Sequence, residues 1–229
     1  MAGRTPPPGR PDDRPDPGSG ADLGGPGASG LARLRRRGVG DLASLIGHEV
    51  AGVARYGTAT RSRVRTRGPD GAHGNESARY RTIALALDLL ADPATGPVPQ
   101  GTFLDVGCGS GRVLQVAARR WPGPVIGLER DPTTAATARL ACRRLDVEVV
   151  EADATTAPLG PEVGAIFLFN PFGAKATAAF AERVAESLAT TPRPLRVAYA
   201  VPKHLDEWRE RWPACQVRVV RDTALIWAP

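Results

Sequence analysis

The sequence has very little lysine, few cysteines and no long apolar run. Only Lys175 and Lys203 stand among 30 basic residues, so arginine carries almost all of the formal charge of +6. The three cysteines lie far apart, which excludes a CxxC metal cluster and does not suit a disulfide framework. No apolar stretch reaches the roughly 18 residues of a membrane span, and the first 30 residues lack the pattern of a signal peptide. These absences predict a cytoplasmic protein.

Arginine is concentrated near the N-terminus. Residues 31–67 hold nine arginines against Asp41 and Glu49, a local charge of +7, and since the whole chain carries +6, the rest sums to −1. Arginines supply phosphate contacts, so RNA or DNA is an alternative partner. The segment has a single aromatic residue, Tyr56, and a solvated basic tail is the commoner interpretation of such a charge run.

The composition divides the chain into three parts. Residues 1–30 consist mostly of Pro, Gly, Asp and Arg, which bury too little apolar area to offset ordering entropy, so we expect a disordered tail. Residues 31–74 form a basic extension with a loop and one helix, predicted over 40–55. Its apolar residues recur at helical spacing: Leu42, Leu45, Ile46, Val50 and Val53. Residues 75–229 suit one α/β domain.

Strands and helices alternate from residue 102 onward. Before them, Asn75 is predicted to cap a helix that ends before Pro93. Later, Asp131-Pro132 provides an N-cap and a first-turn proline for a helix through Leu145, and a further helix is predicted over 179–188. The apolar runs are too continuous for half-exposed strands, which favours a doubly wound, mostly parallel sheet. The last two of the seven predicted strands are joined by residues 221–223. This connection is too short for a crossover, so the last strand is predicted to be antiparallel.

A glycine-rich turn follows the first strand in the sequence FLDVGCGSGR, residues 103–112. Gly107, Gly109 and Gly111 allow a tight backbone turn and close ligand approach. A dinucleotide site needs G-x-G-x-x-G, whereas here the third glycine comes one position early and Arg112 follows it. The spacing therefore disfavours a nicotinamide-dependent oxidoreductase. With Asp105 before it, the turn fits a ligand that carries an amine.

Acidic residues mark the ends of three successive strands. Asp105 lies at the end of the first strand, Glu129 ends the second and Asp153 follows the third. The carboxyl ends of parallel strands meet at one edge of the sheet, where open α/β folds bind ligands. Each acid alone suits a solvated strand end or helix cap. Their joint placement predicts a single ligand site.

An acid followed by G-x-G-x-G after the first strand resembles the class I S-adenosylmethionine-dependent methyltransferases. The resemblance covers residues 75–229 and implies a Rossmann-like methyltransferase sheet with S-adenosylmethionine as cofactor and no metal. It implies that Asp105 contacts the amino end of the cofactor and that the glycine turn lies against its methionine part. It also implies that Glu129 binds the two ribose hydroxyls, Asp153 the adenine amino group and the Ala154 backbone N–H the adenine ring.

The corner after the fourth strand, Asn170-Pro171-Phe172, resembles the acceptor site of methyltransferases that act on amino groups. Those enzymes have two prolines, and here one is missing, so their specificity for an amide or a base does not carry over. A closer likeness is to small, largely uncharacterised bacterial stand-alone methyltransferases with aromatic-N-P-F. This likeness implies a cofactor contact for Tyr80 and a possible base in His204. Each of these features has a structural alternative. The corner can simply terminate the strand, Tyr80 can be a core aromatic residue, and His204 can be a helix cap or a surface residue.

The predicted function is methyl transfer to an unassigned acceptor, with Asn170, Pro171 and Phe172 as catalytic residues. Asn170 would orient an amine acceptor, whereas a hydroxyl would need a base such as His204. A small molecule or a protein side chain is favoured as acceptor. The alternatives are an RNA or DNA methyltransferase that uses residues 31–67 and a non-catalytic protein that binds the cofactor.

Overall fold

The structure is a computed structural model that describes residues 39–56 and 77–228, with side chains from Ile46 onward in the first range. The predicted tail and most of the predicted 31–74 extension, including the arginines of its loop, lie outside these ranges. The chain divides into two units, residues 1–43 and 44–229, and every contact described below lies within the second. Helix α1, Val39–Tyr56, lies where a helix was predicted over 40–55.

The described residues contain six helices, one short 3-10 helix at Pro93–Thr95 and seven strands. The further helices are α2 Tyr80–Leu90, α3 Arg112–Ala117, α4 Pro132–Cys142, α5 Ala174–Thr190 and α6 Leu205–Arg211. The strands are β1 Thr102–Val106, β2 Val125–Glu129, β3 Glu148–Glu151, β4 Val163–Phe169, β5 Arg196–Ala200, β6 Gln216–Val220 and β7 Thr223–Trp227. None of the described helices is both long and apolar enough to cross a membrane.

The seven strands form one sheet in the order β3-β2-β1-β4-β5-β7-β6. Strands β1 to β5 pair in parallel, whereas β7 is antiparallel to both β5 and β6. The predicted doubly wound α/β fold with an antiparallel last strand is therefore confirmed. Because β1 and β4 are neighbours, the glycine turn and the Asn170 corner emerge side by side at the same edge of the sheet.

Helices cover both faces of the sheet, and each face has its own apolar core. On one face, α2, α3 and α4 bury residues such as Ile83, Leu114 and Ala138. On the other face, α5 and α6 bury Phe180 and Trp208. This two-sided burial explains why the parallel strands are continuously apolar in sequence.

Two helix starts test the predicted caps. Asp131 caps α4 as predicted, since its carboxylate accepts a hydrogen bond from Thr134 N at 2.7 Å. The predicted cap of α2 is wrong: Asn75 lies outside the described residues, and α2 begins only at Tyr80 with Arg79 as N-cap. The Tyr80 N–H instead donates to Glu49 Oε1 of α1 at 2.9 Å. A distant carboxylate thus satisfies a backbone donor that a local cap would otherwise satisfy.

Two other helices differ in length from their predictions. Helix α4 was expected to reach Leu145 but ends at Cys142, because the chain turns there and Leu145 N donates to Cys142 O at 2.8 Å. Helix α5 starts at Ala174, before the predicted run at 179–188. Its first turn is rich in alanine, which has the highest helix propensity, so the helix extends back to the corner after β4.

Candidate functional site

The glycine turn between β1 and α3 is left-handed at each glycine. The φ angles of Gly107, Gly109 and Gly111 are 72°, 55° and 83°, a region that residues with a side chain seldom adopt. The N–H groups of Gly107 and Cys108 both donate to Leu128 O at 2.9 Å, which ties the turn to the end of β2. A Cβ atom on Gly107 would lie 3.0 Å from Pro171 Cβ. The turn and the corner after β4 are therefore in close contact.

Asp105 is a buried carboxyl group with one unsatisfied oxygen. Its residue is 2% exposed, and Oδ2 has no hydrogen-bond partner in the part of the chain that the structure describes. Burial, with the Glu129 carboxylate as a second cause, raises the pKa of Asp105 well above its usual range. An unpaired buried carboxyl group is costly, and a cationic hydrogen-bond donor would remove that cost.

Glu129 connects the end of β2 to the glycine turn. Its Oε2 accepts a hydrogen bond from Gly109 N at 3.0 Å, and its Oε1 accepts one from Asp131 N at 2.9 Å. These bonds hold the carboxylate at the sheet edge. Because each carboxylate oxygen has a second lone pair, Glu129 can still accept hydrogen bonds from two neighbouring hydroxyls.

Asp153 and Ala154 lie just beyond β3. One Asp153 oxygen accepts bonds from Thr155 N at 2.9 Å and Thr155 Oγ1 at 2.7 Å, and the other lies 3.7 Å from Arg130 Nη1. The Thr155 hydroxyl, as the first of several causes, lowers the pKa of Asp153. Ala154 is buried and packs in the same core cluster as Leu128. The ion pair with Arg130, the residue after Glu129, thus connects Asp153 to the end of β2.

The corner after β4 places its three predicted residues in different surroundings. Asn170 is 5% exposed and has a φ of 44°. Its Oδ1 accepts a hydrogen bond from the Tyr199 hydroxyl at 3.1 Å. Pro171 contacts the glycine turn, whereas the half-buried Phe172 ring packs against Phe180, with 5.9 Å between ring centroids. Phe172 therefore packs against the apolar core on the side of the sheet that α5 and α6 cover.

Tyr80 is enclosed by two neighbouring side chains. The residue is 4% exposed, its ring stacks on Tyr56 at 5.7 Å between centroids, and the Arg112 guanidinium lies 4.7 Å from the ring centre. Arg112 also donates to Glu49 Oε2 at 3.0 Å. Because Arg112 follows Gly111 directly, Tyr80 and α1 are connected to the glycine turn through this arginine.

His204 precedes α6 as its N-cap residue, and its side chain makes no capping hydrogen bond. Among the described residues, no group of three or more His, Cys, Asp or Glu side chains could hold a metal ion.

The contacts bring most of the predicted site residues to one edge of the sheet. Gly107 contacts Pro171, and the Gly109 N–H donates to the Glu129 carboxylate. The charge of Glu129 in turn contributes to the raised pKa of Asp105. Sequence reasoning missed Glu49 and Tyr199. Each had a weak signal: Glu49 is one of only two acids in the basic segment, and Tyr199 is a polar aromatic residue inside the apolar run LRVAYAV.

A protein-family profile described as "Methyltransferase domain" matches residues 103–191. The match runs from β1 to the residue after α5, so it includes the glycine turn, both acids beyond it and the Asn170 corner. This part of the chain is therefore similar to methyltransferase domains. No curated protein sequence matches the chain.

Solved methyltransferase structures resemble the chain at low identity. DesVI from Streptomyces venezuelae is 14% identical with a TM-score of 0.50, over 65% of this chain and 92% of its own. TrmN from Thermus thermophilus is 25% identical with a TM-score of 0.48, over 63% of this chain and 47% of its own. Magnesium protoporphyrin IX methyltransferase from Synechocystis PCC 6803, with bound SAM, is 14% identical with a TM-score of 0.47, over 64% and 76%. The likeness to DesVI supports the fold.

Two features of the site fit S-adenosylmethionine, the cofactor that the sequence predicts. The unsatisfied Oδ2 of Asp105 suits the amino group of the methionine part, because a carboxylate and an ammonium group form a charge-assisted hydrogen bond. The three left-handed glycines of the turn carry no side chain, which suits close approach of the cofactor to the backbone.

Proposed function

We propose that the protein is an S-adenosylmethionine-dependent methyltransferase that acts on a small molecule or a protein side chain bound at the corner after β4. The contact between Pro171 and Gly107 carries the proposal, since it places the corner beside the turn that fits the cofactor. In this arrangement Asp105 and Glu129 hold the cofactor, and Asn170, Pro171 and Phe172 form the wall that holds the acceptor.

The remaining cofactor contacts follow from the same arrangement. Gly109 and Gly111 keep the turn open for the methionine part, and Asp153 with the Ala154 N–H borders the adenine position. Tyr80 lies behind the turn, stacked on Arg112. We therefore propose that Tyr80 contributes indirectly, by supporting the arginine that follows Gly111, and is a weaker candidate for a direct cofactor contact.

Positioning is the main catalytic contribution of the protein. S-adenosylmethionine supplies a methyl group on a sulfonium centre, which is already an activated leaving group. Asn170 and its neighbours need only hold the acceptor atom in line with that methyl group, and such orientation can lower a barrier by about 7–11 kcal/mol. A covalent nucleophile is not required.

A nucleic-acid acceptor is the second candidate. It rests on the arginines of residues 31–67, most of which lie outside the described residues, whereas the rest of the chain sums to a charge of −1. A protein that binds the cofactor without turnover is the third. Release of S-adenosylhomocysteine with small molecules, peptides or RNA as acceptors separates these cases, because a pure binder would release none.

The Asn170→Ala variant tests the acceptor corner. We expect it to lose most turnover while its affinity for S-adenosylhomocysteine stays within about twofold of wild type, because Asn170 is outside the proposed cofactor contacts. Calorimetry measures the affinity, and release of S-adenosylhomocysteine measures turnover. Full turnover in the variant would contradict an acceptor role and would mean that the corner only terminates β4.

A further inference from the structure

The orientation of the Asn170 side chain carries information about the acceptor. Asn170 is 5% exposed with a φ of 44°, a left-handed conformation that residues other than glycine seldom adopt. Such a conformation persists where the surrounding structure holds it. Here the Tyr199 hydroxyl, on the 1% exposed Tyr199 of β5, lies 3.1 Å from Asn170 Oδ1.

The Tyr199 hydroxyl determines which end of the amide faces it. Burial raises the pKa of Tyr199, so the phenol keeps its proton at neutral pH. The phenol proton is then available for Asn170 Oδ1, in agreement with the 3.1 Å contact. The carboxamide oxygen therefore faces Tyr199, and the carboxamide nitrogen faces away from it.

The Asn170 nitrogen has donor capacity that the protein does not use. Nδ2 carries two N–H groups and donates to none of the described residues. Although Asn170 is buried, this nitrogen keeps some contact with solvent. Asn170 thus presents a hydrogen-bond donor toward accessible space at this corner.

The start of α5 adds further donors at the same corner. Its N-cap, Gly173, supplies no side-chain cap, and the first turn of this 17-residue helix holds no acid. The first backbone N–H groups of such a helix lack partners and carry a partial positive charge, which favours an anion. Lys175, in the first turn, adds a full positive charge. Both features favour the same kind of ligand as the Asn170 nitrogen.

We propose that the methyl acceptor is a carboxylate, whose oxygens are held by Asn170 Nδ2 and by the start of α5. This inference rests on the proposed function and names the acceptor class for the same corner. It assigns Tyr199 as a positioning residue, which fixes the Asn170 amide with its nitrogen toward the acceptor. The product is a methyl ester.

The chemistry of the two acceptor types supports a carboxylate over an amine. A neutral amine has one lone pair, which the reaction needs, and its N–H groups require acceptors, whereas the Asn170 nitrogen and the first N–H groups of α5 are donors. A carboxylate has about four lone-pair sites, so one can receive the Asn170 N–H while another attacks. It is also ionised at neutral pH, so no base is required.

The proposed transfer balances without a proton. A carboxylate oxygen forms the new O–C bond to the methyl carbon as the C–S bond breaks, and the electron pair of that bond goes to sulfur. The negative charge of the carboxylate and the positive charge of the sulfonium disappear together. His204 therefore has no role as a base in this reaction.

Binding of simple probes tests the acceptor class before the natural acceptor is known. The full-length, ¹⁵N-labelled protein saturated with S-adenosylhomocysteine is titrated with benzoate, benzamide or benzylamine. We expect benzoate to shift the Asn170 side-chain NH₂ signals and to bind about tenfold or more tightly than either other probe, since bonds to charged groups are the stronger ones. Equal or tighter binding of benzamide or benzylamine, or no binding of benzoate, would overturn the proposal.

Two variants test the role of the residues themselves. Asn170→Asp replaces the donors by a like charge and should weaken benzoate binding about tenfold or more; Tyr199→Phe frees the amide to turn and should reduce the preference for benzoate over benzamide. An unchanged preference in both variants would contradict the assignment. Calorimetry with S-adenosylhomocysteine is the control for both. If wild-type protein fails to bind it, the proposed function fails as well, whereas normal cofactor binding without a benzoate preference overturns only the carboxylate assignment.

Discussion

Arg112 and Glu49 form an ion pair between the glycine turn and α1, with Nη1 and Oε2 3.0 Å apart across 63 positions of sequence. Their side chains are 5% and 17% exposed, so both charges are largely removed from water. The same arginine donates to Ala78 O at 3.3 Å, and the other oxygen of Glu49 accepts the Tyr80 N–H. One buried pair thus fixes α1, the start of α2 and the start of α3 relative to each other.

Replacement of Glu49 should destabilise the fold. Glu49→Gln keeps an acceptor for the Tyr80 N–H but leaves the buried Arg112 without a charge partner, so we expect a loss of about 1–3 kcal/mol in the free energy of unfolding. Denaturant unfolding measures it. The matched control is Asp88→Asn, which breaks the Arg120 pair of 2.7 Å with a 67% exposed carboxylate and should barely change stability. Equal effects of the two variants would contradict a structural role for the buried pair.

Asp105 should make stability depend on pH in the direction opposite to that of a salt-bridged carboxylate. The unfolded carboxyl group ionises near pH 3.8, whereas burial raises the pKa of Asp105 in the folded protein. Between the two pKa values the folded state binds more protons, so its stability falls as the pH rises through this window. Asp105→Asn lacks this loss and should gain stability relative to wild type from about pH 4 upward, as measured by denaturant unfolding. A constant difference across pH would show that Asp105 titrates normally.

Gly107 should tolerate a side chain poorly. Gly107→Ala places a Cβ atom 3.0 Å from Pro171 Cβ at a φ of 72°, so we expect a loss of roughly 1–2 kcal/mol in unfolding free energy together with weaker cofactor binding. Gly47 in α1 provides the control, because nothing lies within 4 Å of its Cβ position. Gly47→Ala should therefore be neutral or stabilise the helix by about 0.5–1 kcal/mol. The account is wrong about the turn if Gly107→Ala behaves like this control.

Glu129 should matter more than Asp153 for cofactor affinity. Each carboxylate oxygen of Glu129 accepts one backbone N–H, and Glu129→Gln replaces one of these oxygens by an NH₂ group. We therefore expect calorimetry to show about a tenfold or greater loss in affinity for S-adenosylhomocysteine. Asp153→Asn should have a smaller effect, because the oxygen that asparagine keeps can still accept both Thr155 bonds. A larger loss of affinity in Asp153→Asn than in Glu129→Gln would contradict the ribose contact of Glu129.

Local patterns predicted much of the fold. Apolar runs located the seven strands, the short last connection gave the antiparallel pair, and Asp131-Pro132 marked the start of α4 because a cap acts within one turn. The spacing of Gly107, Gly109 and Gly111 located the turn, since positive φ angles require glycine.

The partners that complete the site could not be predicted in the same way. Glu49 replaces the expected cap of α2 from 31 positions away, and Tyr199 reaches Asn170 from 29 positions away. Neither pair leaves a periodic signal, because only the three-dimensional fold brings the side chains together.

Calorimetric titration with S-adenosylhomocysteine, applied to the wild-type protein and to Asp105→Ala, tests the central claim most directly. Because Asp105 Oδ2 is buried without a partner, we predict that the wild-type protein binds one equivalent and that the variant binds about tenfold or more weakly, since a bond to a charged group is lost. No binding by the wild-type protein at millimolar ligand, or the same affinity in both proteins, would contradict the account.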